Sequence, residues 1–127
     1  MMLDGMETLR MARAVMAHAE ARQREVARNV ANADTPGYRA RDVAPFDPDQ
    51  IGTTGLRATR AGHLADPGGG FAPRIIDAGG EAAPNGNTVS IEDEMVRQAA
   101  TRRSHDTALA VYQSGLRLLS TAAGRRR

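Results

Sequence analysis

The sequence has no cysteine, no tryptophan and no lysine in its 127 residues, and only two tyrosines and two phenylalanines. Without cysteine, a disulfide framework and a thiolate metal site are both excluded, while the compartment is left open. Aromatic side chains bury the most area per residue, so their scarcity limits a thick globular core. The 41% apolar content is mostly alanine with some valine, leucine and methionine, which suits helices packed closely on other helices. Long hydrophobic runs are missing too. No stretch approaches the roughly 18 apolar residues of a membrane-spanning helix. The opening MMLDGMETLR carries Asp4 and Glu7 and lacks the apolar run of a cleavable secretory signal, so any export must use a route that reads no classical, cleaved signal peptide.

With no lysine, every base is arginine. Seventeen bases against fifteen acids leave a formal charge of +2 and a pI of about 9.9. A nucleic-acid binder concentrates its bases on one face, whereas acids and bases here are interleaved through Asp106. Only Arg125-Arg126-Arg127 forms a purely basic run. A basic helical nucleic-acid-binding protein is therefore the alternative from a different class, and the main reading has no nucleic acid as partner.

Proline is absent from both flanks. All six prolines and ten of the thirteen glycines lie between residues 35 and 87. Because proline breaks helix interiors, the chain divides into an N-terminal helical segment (1–34), an extended or irregular middle (35–89) and a C-terminal helical segment (90–127). In the first, Asp4 and Glu7 have the spacing of a capping box. Met2, Gly5, Leu9, Ala12, Met16, Ala19, Val26, Val30 and Ala33, with Gln23 as the polar member, recur at a spacing of three and four. That is the coiled-coil period and predicts one seam. In the last segment Ser90 is a good cap, and Glu92, Asp93 and Glu94 suit the positive end of the helix dipole. Ile91, Met95, Gln98, Arg102, His105, Leu109, Tyr112, Leu116 and Leu119 repeat the pattern with a polar centre. The fold class expected is mainly α, with the terminal helices paired and a Gly/Pro-rich, irregular or short-β middle.

No catalytic or metal site is expected, and no cofactor or small-molecule substrate. His18, His63 and His105 fall in three different segments and never pair at metal-ligand spacing, so each is read as structural or superficial. Gly68-Gly69-Gly70 lacks the Gly-Lys-Ser/Thr ending of a phosphate loop and reads as a flexible loop. The acids after Ser90 are explained by the helix start.

RNVANADTPGY, residues 28–38, reads as a helix exit. Asn32 and Asp34 favour local side-chain bonds to backbone, Thr35 is biased to extended conformation by the proline after it, and Pro36-Gly37 is a type II turn pair. The same stretch resembles the signature of the flagellar rod and hook family, matching at Asn29, Ala31, Asn32, Thr35, Pro36, Gly37 and Tyr38. RARDVAPF ending at Phe46, ATRAGHLADP with Thr59 and His63, and NGNTVSIEDEM with Gly86, Asn87, Val89, Glu94 and Met95 resemble further blocks of a short proximal-rod branch. A second short rod branch is the alternative; it usually carries extra residues before the tyrosine, whereas Thr35-Pro36-Gly37-Tyr38 is uninterrupted. The resemblance implies a hollow, self-assembling rod of the periplasmic basal body, with the terminal helices in an antiparallel coiled coil. It also implies as partners copies of the chain, other rod subunits, a rod-base adaptor, the membrane ring and the flagellar type III export apparatus. The residues expected to carry assembly are Leu9, Met16, Val26, Val30, Met95, Leu109, Leu116 and Leu119.

Overall fold

The computed structural model describes residues 2–51 and 71–124, with side chains from residue 4 onward. Thr59, His63, Gly68-Gly69-Gly70 and the Arg125–Arg127 tail lie outside the described residues. Two long helices, α1 (Met2–Ala31) and α2 (Ile91–Gly124), flank a small antiparallel sheet of β1 (Arg41–Val43) and β2 (Ile75–Asp77). The fold is mainly helical. None of its described helices is long and apolar enough to cross a membrane.

The helices run antiparallel. Gly5 faces Leu119, Gly115 faces Leu9, and Asn29 meets Glu94. On α1 the buried column is Ala12, Ala19 and Val26, one residue every seventh position. On α2 it is Glu94, Thr101 and Ala108, and Gly115 continues the same spacing. Small side chains in both columns allow close approach. A methyl group built on Gly115 would lie 2.8 Å from Leu9 Cδ2.

The periodic stripe faces outward at four positions. Met95, Leu109 and Leu116 are 65%, 37% and 44% exposed, and so lie outside the buried column between the two helices of one chain. At about 100° of rotation per residue, their column is displaced by one position from Thr101–Ala108–Gly115. Val30 is likewise 48% exposed, because the α1 contact steps from Val26 to Asn29. The physical reason is size: Thr101, Ala108 and Gly115 let the backbones approach, while bulkier leucines and methionine in that column would hold them apart. Leu9, Met16 and Leu119 are half-buried and Val26 is buried.

Alpha-helix α1 has a second buried stripe. Ala14, Ala21 and Glu25 are buried, and His18 and Arg22 share their face at i, i+4, i+7 spacing. This face takes the middle segment. His18 Nε2 lies 2.8 Å from the Ala44 carbonyl, and its ring packs edge-on against Phe46 and Phe71 at centroid distances of 5.8 Å. Both phenylalanines of the chain thus pin the arm to α1. An isolated two-helix hairpin with an alanine seam would be marginal, and this arm supplies a further layer.

The ends of the elements follow local chemistry. Asp4 sits inside the first turn of α1, which starts three residues earlier than the capping-box reading, with its first helical residue at Gly5, places it. Ser90 begins α2: its carbonyl accepts from the Glu94 N–H at 3.0 Å and its Oγ faces the Asp93 N–H at 3.4 Å. Thr35–Tyr38 forms the expected type II turn, with Gly37 at φ +72° and the Tyr38 N–H donating to the Thr35 carbonyl.

Candidate functional site

The signature residues gather where α1 ends, β1 begins and α2 starts. Asn29 is completely buried and all its hydrogen-bonding capacity is used. Its Nδ2 donates to the Arg41 carbonyl at 2.7 Å and to Glu94 Oε1 at 3.1 Å. Its Oδ1 accepts from the Tyr38 hydroxyl and the Arg41 N–H, both at 3.0 Å. One amide therefore joins the first helix, the turn after it, the first strand and the second helix.

Asn87 makes a second junction. Its buried Nδ2 donates to the carbonyls of Asn32 and Thr35 at 2.8 and 2.7 Å, satisfying backbone acceptors past the end of α1. Asn32 folds its own Nδ2 back to the Arg28 carbonyl and accepts from the Thr35 hydroxyl. The Gly37 N–H donates to the Asn85 carbonyl at 2.9 Å, and Gly86, at φ +84°, stacks against Gly37 so closely that a Cβ there would lie 3.3 Å from Gly37 Cα. Ala31 and Pro36 are exposed and make no side-chain contribution to this junction. The sequence block 85–95 and the signature block 29–38, far apart in the chain, are thus two halves of one structure. Sequence reading singled out both but gave no reason for their pairing.

Charge surrounds Asn29. Glu94 is 1% exposed; its Oε1 accepts from Arg97 as well as Asn29, and its Oε2 meets no donor among the described residues. Burial raises the Glu94 carboxyl above its ordinary value, outweighing Arg97 and the Asn29 amide, which lower it. Burial and the nearby Glu25 carboxylate likewise raise Tyr38. Asp42 on β1 is held by Arg22 of α1 through two contacts, at 3.0 and 3.3 Å, and lies 3.6 Å from Arg97 of α2. Arg28 pairs with Glu25 and Arg39 with Asp77. Among the described residues no three histidines or acids gather as a metal would require. Periodicity gave no sign of Arg22, Asp42 and Arg97; only the fold brings them together.

The outer surface of α2 carries the second feature. Ile91, Met95, Leu109 and Leu116 project to one side, and Val96, Val111 and Leu118 to the other, between 37% and 73% exposed. Between the apolar ends of the first side lies a groove of about 510 Å³. Glu20, Gln23 and Arg24 of α1 and Gln98, Arg102, His105 and Asp106 of α2 line it. The polar centre read in the C-terminal stripe is this groove. A second groove of about 390 Å³ opens on the opposite side, where Ala12, Val15, Ala100 and Val111 give it an apolar lining. Among the described residues, the apolar side chains on these two sides of α2 stay 37% to 73% exposed, which is the chemistry of a protein-contact surface.

No family model matches the sequence. Over 105 residues, 77% of this chain and 78% of the relative, it is 30% identical to the flagellar basal body rod protein FlgB of Agrobacterium fabrum (strain C58 / ATCC 33970). That extent of identity agrees with the signature block and with the junction built on Asn29 and Asn87, and the chain belongs to the family of the flagellar basal body rod protein FlgB.

Proposed function

We propose that the chain is a non-enzymatic structural subunit of the proximal flagellar rod, assembling through the outer faces of its helix pair. The observation that carries this reading is the pair of apolar columns on α2, with Met95 at 65% and Leu118 at 73% exposure in a single chain. Apolar side chains in such number on a narrow helix favour burial against further chains. Repetition of one heterologous contact that does not close produces a filament. Leu9, Met16, Val26, Val30, Met95, Leu109, Leu116 and Leu119 then fall into two groups: Leu9, Met16, Val26 and Leu119 hold the pair together, and Val30, Met95, Leu109 and Leu116 meet neighbours.

The partners in this reading are copies of the chain, other rod subunits, the adaptor at the rod base and the membrane ring, reached after passage through the flagellar type III apparatus. The site of action is the periplasmic rod. Nucleic acid is the weaker reading, since Arg22, Arg28, Arg39 and Arg97 are engaged with carboxylates.

Deleting the gene in its source bacterium, restoring it on a plasmid and viewing purified basal bodies by electron microscopy tests the proposal. The expected mutant keeps the membrane ring and lacks rod, hook and filament until complemented. A mutant that assembles complete flagella would exclude the rod role. Salt-sensitive retention of the purified chain on DNA would then favour the nucleic-acid reading.

A further inference from the structure

The geometry points to Asp42 as a shared counterion that makes docking of the arm and closure of the helix pair a single event. Arg22 belongs to α1 and Arg97 to α2, and the two cations converge on one carboxylate that neither helix supplies. It comes from β1, the first strand of the arm. Of the acids around this point, Glu94 is engaged with Arg97 and Asn29, and Glu25 with Arg28. Arg22 has no other carboxylate among its ion pairs with described residues. Removal of the arm would leave Arg22 without its carboxylate beside Arg97, whose remaining acidic partner is Glu94, an undercompensated and repulsive arrangement in a partly desolvated place.

The site is shielded enough for this to matter. The side chains of Asp42, Arg97 and Arg22 are 15%, 19% and 29% exposed, unlike the open pair Arg39–Asp77 at 69% and 47%. Exposed pairs contribute little, whereas removing one partner of a shielded group leaves an uncompensated charge. Asp42 is also fixed in place: its Oδ1 accepts from the Val43 N–H at 2.7 Å, and the adjacent Arg41 backbone is held on both sides by Asn29. The arm is thus a strap whose charge completes the helix pair, and the subunit has a latched and an unlatched state.

Hydrogen exchange resolved by segment, on the full chain, tests the strap. In Asp42→Asn, exchange is expected to rise on the order of tenfold both in residues 38–44 and in residues 91–101. Adding Arg22→Gln removes one of the facing cations. It should return residues 91–101 toward wild-type protection while residues 38–44 stay loose. Loosening of the arm alone in Asp42→Asn, with residues 91–101 unchanged, would overturn the proposal. So would a double variant in which the two effects simply add. Should Asp42→Asn not fold, sodium chloride titration of the wild-type chain replaces it, because salt screens partly exposed pairs. Both segments should then lose protection at one salt concentration, and separate transitions would overturn the coupling.

Discussion

The Asn29 amide donates to Glu94 Oε1 at 3.1 Å, linking residues 65 apart in sequence at the point where the first helix ends and the second begins. The same side chain holds both backbone groups of Arg41 and the Tyr38 hydroxyl. Replacing it with alanine removes four hydrogen bonds at once, one buried and three part-buried. Asn29→Ala is expected to lower stability by about 3 kcal/mol or more, since each buried group left unpaired costs about 1–3 kcal/mol. Urea denaturation followed by circular dichroism measures it, and a loss below about 1 kcal/mol would contradict the hub.

Glu94 gives a pH dependence with a definite sign. Its carboxyl is raised from its ordinary value of 4.5, so the folded chain holds the proton more tightly than the unfolded chain. Its contribution to stability is therefore greatest at low pH and falls as pH rises from about 4.5 through the raised folded-state value. Thermal melts of wild type and Glu94→Gln across that range should show the stability of wild type relative to the variant declining with pH. Arg97 lowers the Glu94 carboxyl and Asp42 raises it, both less than burial does. A difference that grows with pH would mean that pairing with Arg97 outweighs burial.

The two stacked glycines differ in what surrounds them. Gly37 has φ +72° and open space where a Cβ would go, so Gly37→Ala should cost only the left-handed backbone strain, about 1 kcal/mol. Gly86 has φ +84° and the Gly37 backbone 3.3 Å from its added Cβ. Gly86→Ala is expected to cost about 2 kcal/mol or more, strain and contact together. Equilibrium unfolding of both variants checks the order, and a reversed order would contradict the stacking.

At Gly115 the obstacle is the far end of a leucine. A methyl there meets Leu9 Cδ2 at 2.8 Å, and Leu9 can rotate away. The helix gains about 1 kcal/mol from exchanging glycine for alanine. Gly115→Ala should therefore stay within about 1 kcal/mol of wild type, whereas Gly115→Leu should lose about 1–3 kcal/mol by overpacking. Differential scanning calorimetry on the pair decides it, and a strongly destabilised alanine variant would mean that Leu9 is immobile.

Much of this architecture was legible in residues whose physics is local. Proline placement separated the two helices from the middle, and Pro36-Gly37 gave the turn with its positive φ. Ser90 and the acids after it marked the start of α2. What periodicity could not supply was the partner of each face. Leu109 and Leu116 looked like the core because they are large, but a close antiparallel contact selects Thr101, Ala108 and Gly115 instead. The alanines at 14 and 21 gave no signal that a second layer covers them, because alanine suits any helix face. Arg22, Asp42 and Arg97 were illegible for another reason: an ion pair between distant segments leaves no pattern in sequence spacing.

In the proposed rod subunit the outward faces of α2 serve assembly rather than folding. Leu116 is 44% exposed and stands on that surface, so Leu116→Asp separates the two roles. The direct measurement is electron microscopy of basal bodies from a deletion strain complemented with this variant, alongside a thermal melt of the purified chain. A melting temperature near that of wild type and no rod are expected. A strain that builds normal rods and swims with Asp at position 116 would contradict the assembly role.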